Sequence, residues 1–108
     1  MKYIVKMKII KRYIIYKISE PIEHKYYIGK CTIPIYLRMQ IHKNGKLKAD
    51  EHFKKIGWHH CKVDIIETCD DDNILEKERQ IISRAYQDDP DKILNKYCLK
   101  EIKKHIVF

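Results

Sequence analysis

The residues predict an α+β fold, and three observations carry that expectation. Tyr13–Ser19 and Tyr26–Gly29 are β-branched and aromatic runs parted by a polar turn over Glu20–Lys25, a hairpin with a loop longer than the tightest class. Cys61–Cys69 alternates, with Val63, Ile65 and Glu67 opposite Lys62, Asp64, Ile66 and Thr68, and makes a third strand. Segments with apolar residues at helical spacing lie between and after these strands.

Along the chain, Met1–Arg12 mixes Lys with Tyr, Ile, Val and Met and reads as a basic extension of the first strand rather than a loose arm. Within the hairpin, Ile14, Tyr16 and Ile18 share one face of the first strand, and Tyr27 and Gly29 share one face of the second, so two tyrosines can look into one site. Thr32 can cap a helix that tolerates Pro34 in its first turn, runs to about Lys43 and stops at Asn44-Gly45. Its buried stripe is expected at Ile33, Leu37 and Ile41, with Arg38 and His42 one turn apart on the stripe's edge. A second helix is expected over Leu47–Ile56, with Leu47, His52 or Phe53, and Ile56 inward and Gly57 ending it. Asn73 and Glu76 have capping-box spacing ahead of a third helix, Ile74–Gln87, which Asp88-Asp89-Pro90-Asp91 ends. A short final helix, Pro90–His105, would carry Ile93, Leu94, Leu99 and Ile102. No repeat or linker interrupts this order.

At 108 residues the chain suits a single domain, 1–108, with one modest core. A hydrophobic fraction of 44% beside 35% charged residues, with three Gly and three Pro, excludes disordered, collagenous and low-complexity classes. A net charge of +8 makes a polyanion the expected partner, although charge alone does not separate nucleic acid from a membrane surface. Lys2, Lys6, Lys8 and Lys11 break every apolar run near the start, so neither a signal peptide nor a spanning helix is expected and the location should be intracellular, cytoplasm or nucleus. Cys31, Cys61, Cys69 and Cys98 form no Cys-x-x-Cys pair and are expected as thiols. His59, His60 and Cys61 are consecutive, which does not match the usual zinc spacings.

Glu78 is the most informative single residue. It falls at the centre of an apolar stripe made by Ile74, Leu75, Ile81, Ile82, Ala85 and Tyr86, four residues after Ile74 and four before Ile82. A carboxylate placed there needs a cation, a hydrogen-bond network or a metal. A salt bridge to an Arg or Lys at the core's edge is the purely structural alternative.

Ile14-Ile15-Tyr16, then Tyr27-Ile28-Gly29, then Arg38 with His42 four later, then Glu78 with Ile82 four later resemble, in order and approximate spacing, the signature of the GIY-YIG nuclease superfamily. Ile14 stands where the signature has its first glycine. Asn95, in Ile93-Leu94-Asn95, lies where many members carry an asparagine after the glutamate helix. The resemblance implies a three-stranded antiparallel sheet flanked by helices, and divalent-metal-dependent endonuclease cleavage of DNA phosphodiester bonds.

In that reading Glu78 would bind one Mg²⁺ (or Mn²⁺), an ion content with one or two carboxylates plus phosphate and water. Arg38 would fork onto the scissile phosphate. Tyr16 and Tyr27 would orient the attacking water, and one of them would take its proton, with Lys30 and Arg38 as cations that favour a phenolate. His42 would position the phosphate or a tyrosine, and Gly29, Lys30 and Asn95 would support the site, Asn95 being equally suited to cap the last helix. Lys30, Arg38, Lys43, Lys46, Lys48, Lys54 and Lys55 would contact the DNA backbone. With no recognition domain in view, specificity would be low or supplied by a partner protein. A non-catalytic basic nucleic-acid-binding module is the main alternative, and it would not need Glu78 in an apolar stripe. A basic protein–protein adaptor is the third class.

Overall fold

The computed structural model describes residues 12–69 and 73–95. Strands β1 (Tyr13–Ser19) and β2 (Tyr26–Cys31) form the expected hairpin, and β3 (Lys62–Cys69) pairs antiparallel with the other side of β1, giving the order β2-β1-β3. Helices α1 (Ile35–Lys43) and α2 (Lys48–Ile56) and a 3-10 turn at Trp58–His60 separate β2 from β3, and α3 (Ile74–Asp88) follows β3. The result is the expected α+β architecture.

The hairpin register pairs Tyr16 with Gly29 and Ile18 with Tyr27, so both tyrosines stand on one face of the sheet. That face packs under α1 and α2: Tyr16, Ile18 and Cys31 join Ala49 and Phe53, with Ile14, Tyr27, Ile35 and Met39 around them. The opposite face packs on α3, where Ile15, Tyr26, Ile28 and Cys69 meet Ile74, Ile82, Ala85 and Ile93. Two small cores thus share the central strand β1, whose Ile15, Tyr16 and Ile18 are fully buried.

Several local expectations give way to tertiary context. The alternation read in Cys61–Cys69 is broken, because Ile15 pairs with Glu67 but Tyr16 pairs with Ile65, leaving Ile66 as the extra residue of a β-bulge. Val63, Ile65 and Ile66 are all exposed. In α1 the expected stripe is turned outward: Leu37 is 43% and Ile41 51% exposed, while His42 is buried. The helix starts beyond Pro34, with no side-chain cap, so Thr32 is not its cap. In α2 Leu47 is exposed at the N-terminus, and Ala49, Asp50 and Phe53 form the inner face. Gly57, at φ 104°, ends that helix in a backbone region that favours glycine.

Glu78 is buried with Ile74, Ile82 and Ala85, as the periodicity requires, whereas Leu75 points to solvent and Asn73 makes no side-chain cap bond. The segment after α3 departs most. Pro90–Lys92 form a turn, and Ile93 then bridges to Tyr26 in a parallel sense instead of entering a helix. Tyr26 N–H donates to the Lys92 carbonyl at 3.0 Å and Leu94 N–H to the Tyr26 carbonyl at 2.7 Å, satisfying backbone groups on the outer edge of β2. Leu99 and Ile102, Cys98 and the basic extension at 1–11 lie outside the described residues. Among the described residues Cys31, Cys61 and Cys69 form no disulfide with one another. Among the described residues no helix is long and apolar enough to cross a membrane.

Candidate active site

Tyr16 is the hub. Its hydroxyl lies 2.6 Å from His42 Nε2 and accepts a hydrogen bond from Arg38 Nε at 3.0 Å. Arg38 and His42 are four residues apart on α1, so one helix face delivers both to one phenol. This explains the outward turn of Leu37 and Ile41: the polar residues are inside because they satisfy one another, which apolar periodicity does not register.

Gly29 lies directly under this cluster. A Cβ at Gly29 would fall 2.4 Å from Tyr16 Oη and 2.8 Å from Tyr27 Cε2, so the glycine is required for space rather than for a special backbone angle. Tyr27 is tilted beside Tyr16, with ring centroids 6.5 Å apart, and meets His42 edge-on at 5.4 Å.

His42 Nδ1 is 2.6 Å from Asp50 Oδ1, and the other oxygen of Asp50 accepts the Leu47 N–H at 3.2 Å. Both side chains are buried. Asp50 was not among the residues singled out from sequence. Its signal was available only as a third-position acid of a helix first turn, which ordinarily means capping and nothing more.

Burial sets the protonation of the site. It raises the Tyr16 phenol well above its usual value, against the opposing pull of the Arg38 hydrogen bond and charge. It raises Tyr27 as well, Arg38 again opposing while Glu78 and Asp50 add to the rise. The cation expected to favour a phenolate is in place, but desolvation outweighs it. Burial also lowers His42, more than the Asp50 hydrogen bond raises it, so the imidazole is neutral near pH 7.

The remaining candidates gather along β2. Lys30 Nζ lies 3.2 Å from Glu78 Oε1, with the Lys side chain about a third exposed and the Glu side chain buried. The cation at the core's edge is therefore present, and it is the residue expected to support the tyrosines. Asn95 turns its side chain to β2: its Oδ1 accepts Ile28 N–H at 2.9 Å and its Nδ2 donates to the Ile28 carbonyl at 2.7 Å, bracing the edge of β2 between the two site residues Tyr27 and Gly29, while the helix it was expected to cap lies beyond the described residues. Lys43, Lys46, Lys48, Lys54 and Lys55 are exposed along the end of α1, the following turn and α2.

A hard cation needs oxygen donors; Glu78 offers one buried carboxylate, and in this structure it is paired with Lys30. The described side chains close enough to share an ion are different ones: Glu20, Glu23 and His52, whose ligand atoms lie within 4.8 Å of one another at the turn end of the hairpin. There Glu20 already accepts the Glu23 and Lys25 N–H groups and meets His52 Nε2 at 3.3 Å. His59 and His60 lie tilted against each other, exposed, and are not part of that group.

A comparison with protein families matches the GIY-YIG catalytic domain over residues 12–93. The chain belongs to the GIY-YIG family. Its described strands and helices have the α+β arrangement consistent with that nuclease fold. No curated protein and no solved structure gives a match. Within this GIY-YIG chain, Ile14 takes the position of the first signature glycine and is accommodated as a half-buried residue of β1, paired with Cys31 and Thr68.

Proposed function

We propose that this GIY-YIG chain is a metal-dependent DNA endonuclease. The observation that carries the reading is the convergence of Arg38 and His42 on the buried Tyr16 hydroxyl, with Tyr27 beside it and Glu78 near enough to act on Tyr27 electrostatically. Hydrolysis of a phosphodiester requires an activated water, a counter-charge for the phosphoryl oxygens and help for the leaving oxygen. Arg38 presents a planar fork that suits a phosphate, and its guanidinium bears on both tyrosines, through Nε on Tyr16 and by hydrogen bond and charge on Tyr27. Tyr16, or Tyr27 beside it, receives the proton of the attacking water, and His42 holds Tyr16 in place. Glu78 would hold the divalent ion, which supplies Lewis-acid polarisation of the phosphate when bound. With Glu78 holding the ion, Lys30 would be released to the DNA backbone, where Lys43, Lys46, Lys48, Lys54 and Lys55 would join it as sequence-independent phosphate contacts.

Glu78→Gln tests the reading on one preparation. Nicking of supercoiled DNA in Mg²⁺ should vanish, while DNA affinity in chelator is retained. Thermal stability should change by less than about 1 kcal/mol, because the partly exposed Lys30 can turn to water. If Glu78 is only one half of a structural ion pair, the variant loses roughly 3–5 kcal/mol and still nicks DNA. DNA binding without cleavage by the unaltered chain would leave the non-catalytic reading in its place.

A further inference from the structure

We infer that Asp50 is the positioning residue that makes His42 a proton acceptor for Tyr16, so that Tyr16, His42 and Asp50 act as one relay; the inference rests on the nuclease reading of this site. A carboxylate can only accept, so the 2.6 Å contact requires a proton on His42 Nδ1, donated to Asp50 Oδ1. A neutral imidazole carrying its proton there has a bare Nε2. That nitrogen can only accept, and it faces Tyr16 at 2.6 Å, so the Tyr16 O–H is the donor. The Tyr16 oxygen in turn accepts from Arg38 Nε at 3.0 Å. Each group in the line from Arg38 to Asp50 then gives or takes one proton in the same direction, and no donor faces a donor.

The placement of Asp50 is built from two sides. Its second oxygen is held by the Leu47 N–H at the start of α2, which fixes the side-chain rotation. The preceding turn leaves room for it: a Cβ at Gly45 would lie 2.1 Å from Asp50 Oδ2. Asn44-Gly45 therefore both ends α1 and admits the carboxylate behind His42.

The relay removes the difficulty set by burial, which disfavours a standing phenolate at Tyr16. As water attacks phosphorus, one of its protons passes to the Tyr16 oxygen while the Tyr16 proton passes to His42 Nε2. The Tyr16 O–H bond is broken and remade, and its oxygen never carries a full charge. The positive charge ends on the imidazole, beside Asp50. The leaving oxygen takes a proton from solvent, and His42 later returns one to solvent, which closes the balance. This is the arrangement in which an acid orients an imidazole that serves a hydroxyl, with a phenol in the place of the hydroxyl and water as its proton source.

Asp50→Asn separates positioning from packing. The amide oxygen can keep the Leu47 N–H, which leaves the NH₂ group facing His42 Nδ1 and moves the imidazole proton to Nε2, opposite the phenol. The expected result is a loss of about 10²–10⁴-fold in nicking of supercoiled plasmid in Mg²⁺, with plasmid affinity in chelator and thermal midpoint unchanged. Nitrogen-15 spectra of the full chain should show His42 protonated on Nδ1, and on Nε2 in the variant. In a His42→Ala background Asp50→Asn should cost nothing further, since it acts through His42. Asp50→Ser, too short to reach His42, should lose the same activity if Asp50→Asn folds poorly. Normal nicking by either folded variant, losses that multiply in the double variant, or an unaltered chain protonated on Nε2 would each overturn the inference. If the unaltered chain does not nick at all, the nuclease reading fails, and the nitrogen spectra still decide whether Asp50 sets the tautomer.

Discussion

Two ends of one hairpin carry the same pair of groups and use them differently. Near the middle of β1, Asp50 and His42 stand behind Tyr16; at the turn, Glu20 and His52 stand behind the loop. Both carboxylates are buried and both meet a histidine supplied by α1 or α2. Glu20 is filled by backbone donors, the Glu23 and Lys25 N–H groups, and so acts as a clamp that shapes a loop. Asp50 has one oxygen for the backbone and one for the imidazole, and the imidazole passes the interaction on to a phenol facing Arg38. A carboxylate–histidine pair is therefore not a site in itself. What the far side of the histidine touches decides it.

The largest separation of the two ends should be in activity. Tyr16→Phe keeps the buried ring but strips His42 Nε2 of its partner, so it should reduce cleavage about 10²–10⁴-fold and lower stability by about 1–3 kcal/mol, whereas Glu20→Gln should lower stability by a similar amount and leave cleavage intact, because the amide NH₂ must face one of the donors that Glu20 now accepts. Paired nicking assays and denaturant titrations read both. Normal cleavage by Tyr16→Phe would place the base elsewhere, with Tyr27 the next candidate.

Gly29→Ala sharpens the comparison from beneath the site. The new methyl collides with the Tyr16 hydroxyl, not with the turn, so it should both destabilise by about 1–3 kcal/mol and slow cleavage. A crystal structure in which Tyr16 still meets His42 and Arg38 would contradict the steric account.

The smallest effect is a difference in acid sensitivity. His42 has a folded pKa below its ordinary 6.5, chiefly because burial outweighs the Asp50 hydrogen bond. The unfolded chain then binds more protons just below that value, so stability is level above about pH 6.5 and declines as pH falls from there toward the folded pKa. Burial would raise Glu20, but the Lys25 and Glu23 N–H groups and His52 bring it below 4.5 overall. Its contribution is present above about pH 4.5 and is lost as pH falls through the folded value. Thermal melts across acid pH should thus show a first decline removed by His42→Gln and a later one removed by Glu20→Gln. A single decline insensitive to His42→Gln would mean that the imidazole is not buried as a neutral group.

The hairpin, the sharing of one face by Tyr16 and Tyr27, and the inward Glu78 were legible from residues alone, because strand alternation and the four-residue helical repeat are local geometry. The span of α3 was legible for the same reason. The inner face of α1 was not: Leu37 and Ile41 carry the apolar signal, yet Arg38 and His42 are turned in by a phenol 22 and 26 residues away. Asp50, the bulge at Ile66, and Asn95 bracing Ile28 from 67 residues away were equally hidden. Periodicity reports which residues prefer to leave water, one element at a time. A buried polar group is stable only when partners from other elements complete its hydrogen bonds, so where such groups go is decided when the elements meet.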